Sequence, residues 1–159
     1  MLRILAASLA VFIVGVAQSA ATSWLAIWQA APDLPLLLAV SLGLASGPVA
    51  GMAAGLGLAL VQAGLSQSNL LAHALGLVLS GFLAGEISRR FFREHWLVPV
   101  LSVSALTLVS EVLFLLTAST PPALSLRWLL LRLLYNAALA LPCFRLVTRA
   151  RDLLPSPAR

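Results

Sequence analysis

Six apolar segments occupy almost the whole of this chain, and short polar breaks separate them. The segments cover residues 2–27, 34–45, 48–65, 70–87, 96–118 and 124–147. A helix needs about 20 apolar residues to cross the hydrocarbon core of a bilayer. Inside a bilayer the backbone of such a segment satisfies its own hydrogen bonds by forming a helix. The pattern therefore predicts an all-α, polytopic membrane protein of six transmembrane helices, the second of them short.

The composition excludes two broad classes of protein. Of the 159 residues, 61% are hydrophobic and only 9% are charged. A soluble domain of this size would need far more charge on its surface. The formal net charge of +5 comes from arginines at the ends of segments, so it does not indicate nucleic-acid binding. We expect one transmembrane domain over residues 1–150 and a short polar cytoplasmic tail over residues 151–159.

The arginines orient the chain in the membrane. Arg3 and the arginines within residues 89–93 and 145–151 fall on one side if all six segments cross. The breaks without lysine or arginine are residues 29–33, 66–69 and 119–123. Because positive residues favour the cytoplasmic side, we expect a multi-pass protein with both termini in the cytoplasm.

The second segment is shorter than a full crossing. Its 12 residues correspond to about 18 Å of helix. Two arrangements remain open at this stage. The segment is either a distorted crossing sheltered by neighbouring helices, or one half of a re-entrant pair with the third segment. Both arrangements leave the two termini on the same side of the membrane.

A row of small residues runs along the third segment at one-turn spacing. Gly47, Gly51 and Gly55 recur every four residues, and Ala59 continues the row. Small residues at this spacing allow another helix backbone to approach closely. The row either packs against a helix of the same chain or forms a docking surface for the helix of a partner protein. We therefore regard these four residues as candidates for partner binding.

Two charged residues lie inside the last two segments, Glu111 in the fifth and Arg132 in the sixth. Charges at such depth are costly and are usually paired within the bundle. We expect Glu111 to form an ion pair with Arg132 or Arg127, and Asn136 to extend a polar seam along the sixth helix. The seam is either a structural lock between two helices or a path for protons or a substrate.

No residue pattern typical of an enzyme occurs in the chain. A serine nucleophile elbow, a phosphate loop, an HExxH helix and a paired-acid motif are all missing. The single cysteine, Cys143, excludes an internal disulfide and a thiol-ligated metal cluster. Asp33 follows a proline and is placed to cap the second helix. We therefore expect a protein that is not an enzyme and that needs no cofactor or metal.

A series of motif elements extends from residue 32 to residue 85. It begins with Pro-Asp and an apolar run, followed by a Gly-Pro pair and the spaced glycines. It ends with Gly-Phe-Leu-Ala-Gly before a basic loop. The matching residues are Pro32, Asp33, Gly47, Pro48, Gly51, Gly55, Gln62, Leu65, Ser66, Ser68, Leu70, His73, Ala74, Leu75, Gly81, Phe82, Leu83, Ala84 and Gly85. In this order and spacing they resemble the MreD family of rod shape-determining proteins.

Five positions depart from the family pattern. Ala59 stands where a third glycine of the row is usual, and Ala63 stands where an acid follows the glutamine. Gln67, Asn69 and Leu71 replace glycine, proline and glycine. Because position 63 is alanine, no role for a carboxylate carries over to it.

The resemblance implies a scaffold subunit in the bacterial inner membrane, with a six-helix fold similar to the S components of vitamin transporters. MreD-like proteins bind MreC, a single-span membrane protein, and act with MreB, RodA and a class B penicillin-binding protein. Together they regulate cell shape and lateral peptidoglycan synthesis. The alternative function is that of an S component, which binds a vitamin-like solute in an outward-facing pocket. We expect few polar groups at the outer end beyond Asp33 and Asn69.

Overall fold

The computed structural model describes residues 9, 12–18, 30–66, 70–90, 97–117 and 126–153. Nearly all of these residues are helical, and none of them belongs to a strand. The helices are α1 (12–18), α2 (Leu34–Ser46), α3 (Pro48–Ser66), α4 (Leu70–Arg90), α5 (Leu97–Thr117) and α6 (Leu126–Leu153). The predicted all-α class is confirmed for the part of the chain that the structure describes.

Four helices, α3 to α6, are long and apolar enough to cross a membrane. They indicate an integral membrane protein. The helix α2 has 13 residues, which is fewer than the ~20 residues of a full crossing. Most of the predicted first segment lies outside the described residues.

The helix α6 is longer than its apolar segment. The segment was expected to end at residue 147, whereas α6 continues to Leu153. Residues 148–153 contain neither glycine nor proline, so nothing in the sequence stops the helix there. Arg151 lies in the last turn, where a positive charge is favourable to the helix dipole. The first three residues of the expected tail, 151–153, are therefore helical.

Local chemistry sets both ends of α2. The Asp33 side chain accepts a hydrogen bond from the Leu36 amide at 3.0 Å and caps the helix, as the sequence predicted. At the other end Gly47 has a φ of 98°, which glycine adopts without steric cost. Pro48 then begins α3, in the position where its missing N–H costs nothing.

The helix α2 lies at the centre of the bundle. It packs against α3, α4, α5 and α6, and ten of its 13 residues are buried. A helix that is apolar on all sides belongs in such a position. The short segment is therefore sheltered by its neighbours, and whether it crosses the membrane or forms a re-entrant pair with α3 stays a prediction.

The helices around α2 carry their apolar side chains outward. On α5 the exposed positions are 97, 101, 105, 108, 112 and 116, all of them leucine, valine or alanine. The buried positions of the bundle include Ser80, Ser102, Thr107, Glu111 and Asn136. The core is otherwise apolar, and the apolar exterior is what differs from a soluble protein. This distribution is typical of helices that face lipid outside and hold their polar groups inside.

The row of small residues on α3 packs against α4. A Cβ atom added at Gly51 or Gly55 would lie 2.2 or 2.4 Å from a backbone carbonyl oxygen of α4. Ala59 is fully buried, and Gly47 forms the turn before α3. The expectation of a partner groove is corrected for Gly51 and Gly55, because their close contact with α4 leaves no room for another helix there.

Candidate functional site

A cavity of about 470 Å³ lies at one end of the bundle. Its walls come from the C-terminal parts of α1, α3 and α5 and from the start of α2, α4 and α6. Its polar lining consists of Gln18, Asp33, Gln62, His73, Ser110, Glu111 and Arg132. The volume falls within the range of small-molecule pockets in proteins, about 300–1,000 Å³.

Arg132 joins two carboxylates at the edge of this cavity. Its Nη2 lies 2.7 Å from Asp33 Oδ2, and its Nη1 lies 3.0 Å from Glu111 Oε1. Its guanidinium carbon is 5.1 Å from the centre of the Trp128 ring, a cation–π contact. We call Asp33, Glu111 and Arg132 the ion triad. It ties the start of α2 to α5 and α6, and it pairs charges that would otherwise be costly inside a membrane.

Asn136 extends the ion triad into a polar seam. Its Oδ1 accepts a hydrogen bond from the Asp33 amide at 2.9 Å, and its Nδ2 donates to Thr107 Oγ1 at 3.1 Å. The Thr107 hydroxyl in turn donates to the Val103 carbonyl at 2.8 Å. Asn136 is completely buried, so these partners satisfy a side chain that would otherwise be expensive to bury. The seam fixes the position of the Asp33 backbone.

Gln18 holds the same chain segment from the opposite side. Its Nε2 donates to the Pro32 carbonyl at 3.0 Å, and its Oε1 accepts from the Leu34 amide at 2.9 Å. One amide side chain thus satisfies a donor and an acceptor of the backbone where α2 begins. The Asp33 carboxylate is therefore held by the Leu36 amide of α2 and by Arg132 of α6, while Gln18 of α1 holds the backbone on either side of Asp33.

The structure brings together three of the four residues proposed for the polar seam. Glu111 and Arg132 form an ion pair, and Asn136 lies one turn further along α6. Arg127 lies five positions before Arg132, which is about 140° away around an α-helix. It is exposed and does not line the cavity. Of the two arginines considered as partners of Glu111, Arg132 makes the contact.

Sequence reasoning missed most of the cavity. Few polar groups were expected at this end, yet Gln18, Gln62, His73 and Ser110 all line it. The signal was present in the sequence, because each of them is a polar residue within an apolar segment and in the half of that segment that leads to the cavity. Asp33 was interpreted as a helix cap and as a polar group of the outer end, whereas its pairing with Arg132 was not predicted.

The site is built for binding by charge and hydrogen bonds. In the described part of the chain, no group of three or more histidine, cysteine or acidic side chains is arranged to hold a metal ion. Aromatic rings add to the polar groups: Trp128 and Phe114 line the cavity, and the Phe114 ring lies 5.9 Å from that of His73. Such a combination of aromatic and convergent polar groups is typical of small-molecule sites.

The fold and the cavity define an α-helical membrane bundle with a charged cavity at one end. No protein-family model, no curated protein and no solved structure matches this chain. Its function is therefore argued from the arrangement of its residues.

Proposed function

We propose that this chain is a non-enzymatic scaffold of the MreD type in the bacterial inner membrane. It binds an MreC-like single-span protein and contributes to the regulation of cell shape and lateral peptidoglycan synthesis. One observation carries the proposal: the Pro-Asp start and the spaced glycines of the MreD-like motif occupy constrained positions of the fold. Asp33 caps α2 and joins the ion triad, Gly47 forms a turn, and Gly51 packs against Gly81.

The same proposal includes six crossings with both termini in the cytoplasm. Five of the seven arginines of α4 and α6 lie towards the ends of those helices that are remote from the cavity, namely Arg89, Arg90, Arg145, Arg149 and Arg151. The other two, Arg127 and Arg132, lie near the cavity end of α6, where Arg132 pairs with Asp33 and Glu111. Since positive residues favour the cytoplasmic side, the cavity faces the outside. The complex would extend to MreB, RodA and a class B penicillin-binding protein, within the lipid of the membrane and without nucleic acid.

The partner helix needs a face that internal packing leaves open. On α3 the outward positions include Val49, Leu56 and Leu60, which are 78%, 49% and 54% exposed. Between them lie Ala53 and Gly57, spaced one turn apart. Small residues on an exposed face let a second backbone approach closely. The outward faces of α4 and α5 consist mainly of larger side chains, so we expect the single-span partner on α3.

Site-specific photocrosslinking tests this proposal. A photoreactive amino acid is placed at Leu56 on α3 and, as matched exposed controls, at Leu79 on α4, Leu101 on α5 and Leu134 on α6. Each variant is expressed together with an MreC-like protein of the source bacterium. We expect a crosslink to that protein from position 56 only. Equal crosslinking from all four positions, or none from any of them, would contradict the proposal.

The cavity favours a second candidate function, that of a solute-binding subunit similar to the S components of vitamin transporters. Its volume, charges and aromatic lining suit a small ligand. The two candidates differ in their partners, because transport requires subunits that supply energy. Purification from the source bacterium in mild detergent separates them: an MreC-like chain supports the scaffold, and ATP-hydrolysing subunits support the transporter.

A further inference from the structure

We infer that the cavity binds an ammonium group, carried either by a small soluble amine or by the headgroup of a lipid. The inference concerns the cavity alone and holds whether the chain acts as a scaffold or as a transporter subunit. It rests on the charge of the lining, on an acceptor atom without a partner and on the aromatic groups of the cavity.

The charge of the lining is negative. The ion triad contains two carboxylates and one guanidinium, so it carries a net charge of minus one. Arg127 lies outside the lining, on the exposed side of α6. The sequence has no charged residue at positions 19–29, 67–69 and 118–125. An uncompensated negative charge in a low-dielectric bundle is costly, and a bound cation would remove that cost.

Glu111 provides the acceptor for this cation. Its Oε1 is engaged by Arg132 at 3.0 Å, whereas its Oε2 has no hydrogen-bond partner among the described residues. A carboxylate oxygen attracts any ammonium group by its charge, including a quaternary one, and it also accepts hydrogen bonds from an ammonium group that carries N–H. Both oxygens of Asp33 are already engaged, one by the Leu36 amide and one by Arg132. Glu111 is therefore the carboxylate that can receive an ammonium group.

The aromatic lining suits an organic cation. The Trp128 ring already holds the Arg132 guanidinium carbon at 5.1 Å, and Phe114 offers a second ring within the same cavity. Aromatic faces attract ammonium groups through their quadrupoles. A metal ion would need several ligands, and the described residues contain no group of three that could supply them. The chemistry therefore favours an organic ammonium over a metal ion.

A matched pair of probes tests the inference on the wild-type protein. Choline and its neutral isostere 3,3-dimethylbutan-1-ol have the same shape and differ in charge. The protein is placed in phosphatidylglycerol nanodiscs, and binding of each probe is measured by calorimetry. We expect choline to bind at least about tenfold more tightly, because only choline compensates the negative charge. Equal affinity for both probes, or no binding of choline, would overturn the inference.

Two variants locate the charge that is responsible. Glu111→Gln removes one negative charge and keeps the side-chain volume, so choline affinity should fall about tenfold or more. Glu86→Gln is the matched control, since Glu86 pairs with Arg89 at 3.0 Å towards the other end of α4. It should bind choline as the wild type does. Unchanged affinity in folded Glu111→Gln would overturn the inference, and the wild-type comparison decides alone if that variant does not fold.

The lipid in the nanodisc separates the two sources of the ammonium group. If a headgroup occupies the cavity, adding phosphatidylethanolamine should weaken the apparent affinity for choline by competition. If the cavity takes a soluble amine, the two disc compositions should give the same affinity. Both results support the ammonium site and differ only in its natural occupant. A failure of the crosslinking test for the scaffold would leave these measurements unaffected.

Discussion

Replacing Arg132 by alanine should destabilise the bundle more than replacing Glu111 does. Arg132 is the shared partner of two carboxylates, at 2.7 Å from Asp33 and 3.0 Å from Glu111. Its side chain is only 23% exposed, and those of the two acids are 14% and 10% exposed. Without Arg132, both buried carboxylates lose their counter-ion. Without Glu111, Arg132 still pairs with Asp33.

The expected magnitudes follow from this asymmetry. Removing one partner of a buried ion pair costs about 3–5 kcal/mol, because the remaining charge is left uncompensated. We expect a loss in this range for Arg132→Ala. For Glu111→Ala we expect a smaller loss of about 1.5–3 kcal/mol, which is the scale of one hydrogen bond to a charged group. The double variant should not regain wild-type stability, since Asp33 then has no counter-ion.

The only cysteine of the chain provides the assay. Cys143 is half-buried in α6 and packs against the hydrophobic core. The rate at which a thiol reagent labels it rises as the bundle opens, so the rate reports the free energy of unfolding in detergent. Arg145→Ala, which removes an exposed arginine from the same helix, should change that free energy by less than about 0.5 kcal/mol. Equal losses for Arg132→Ala and Glu111→Ala would refute the reasoning.

Two further predictions concern α3 and the start of α2. A leucine at Gly51 must displace the Gly81 carbonyl oxygen, which would lie 2.2 Å from the new Cβ atom. A Cβ atom at Gly64 would have nothing within 4 Å. Size-exclusion chromatography should therefore find folded protein for Gly64→Leu and not for Gly51→Leu. Asp33→Asn loses the charge and keeps the helix cap, whereas Asp33→Ala loses both. Asp33→Asn should therefore be more stable than Asp33→Ala by about 1 kcal/mol and unfold at a higher thermal midpoint. Folded Gly51→Leu protein would contradict the first prediction. Equal thermal midpoints for Asp33→Asn and Asp33→Ala would contradict the second.

The helices could be predicted closely from the sequence because local features set their ends. Proline, glycine and polar clusters interrupt the apolar runs, and the thickness of a bilayer fixes how long the runs are. Asp33 and Gly47 mark the two ends of α2 in this way. The end of α6 was missed because helix propensity continues past the apolar residues, as far as Leu153.

The helix that packs against the glycine row of α3 could not be predicted from the spacing of the glycines. A four-residue period states that the small residues share a stripe, and it does not state which helix the stripe faces. Gly51 faces Gly81 on α4, where the backbone of a glycine leaves matching space. The fit between the small residues of α3 and those of α4 depends on both helices. The row on α3 considered alone is equally compatible with the helix of a partner protein.

The cavity could not be predicted from the sequence for a related reason. Its groups come from all six helices of the described chain, and Arg132 lies 99 positions after Asp33. Each polar residue stands out within its own apolar segment, but the segment does not show which other polar residues it meets. Only the antiparallel packing brings them to one end, where their charges and hydrogen bonds combine.

The most direct test of the account is the orientation of the cavity, because both proposals place that end of the bundle outside the cytoplasmic membrane. Single cysteines are introduced on a Cys143→Ser background at Ser68, between α3 and α4 at the cavity end, and at Arg93 in the basic loop. Spheroplasts are then treated with a membrane-impermeant maleimide. The account predicts labelling of Ser68→Cys from outside, and labelling of Arg93→Cys only after the membrane is opened. Labelling of Arg93→Cys in sealed spheroplasts, with protection of Ser68→Cys, would contradict it.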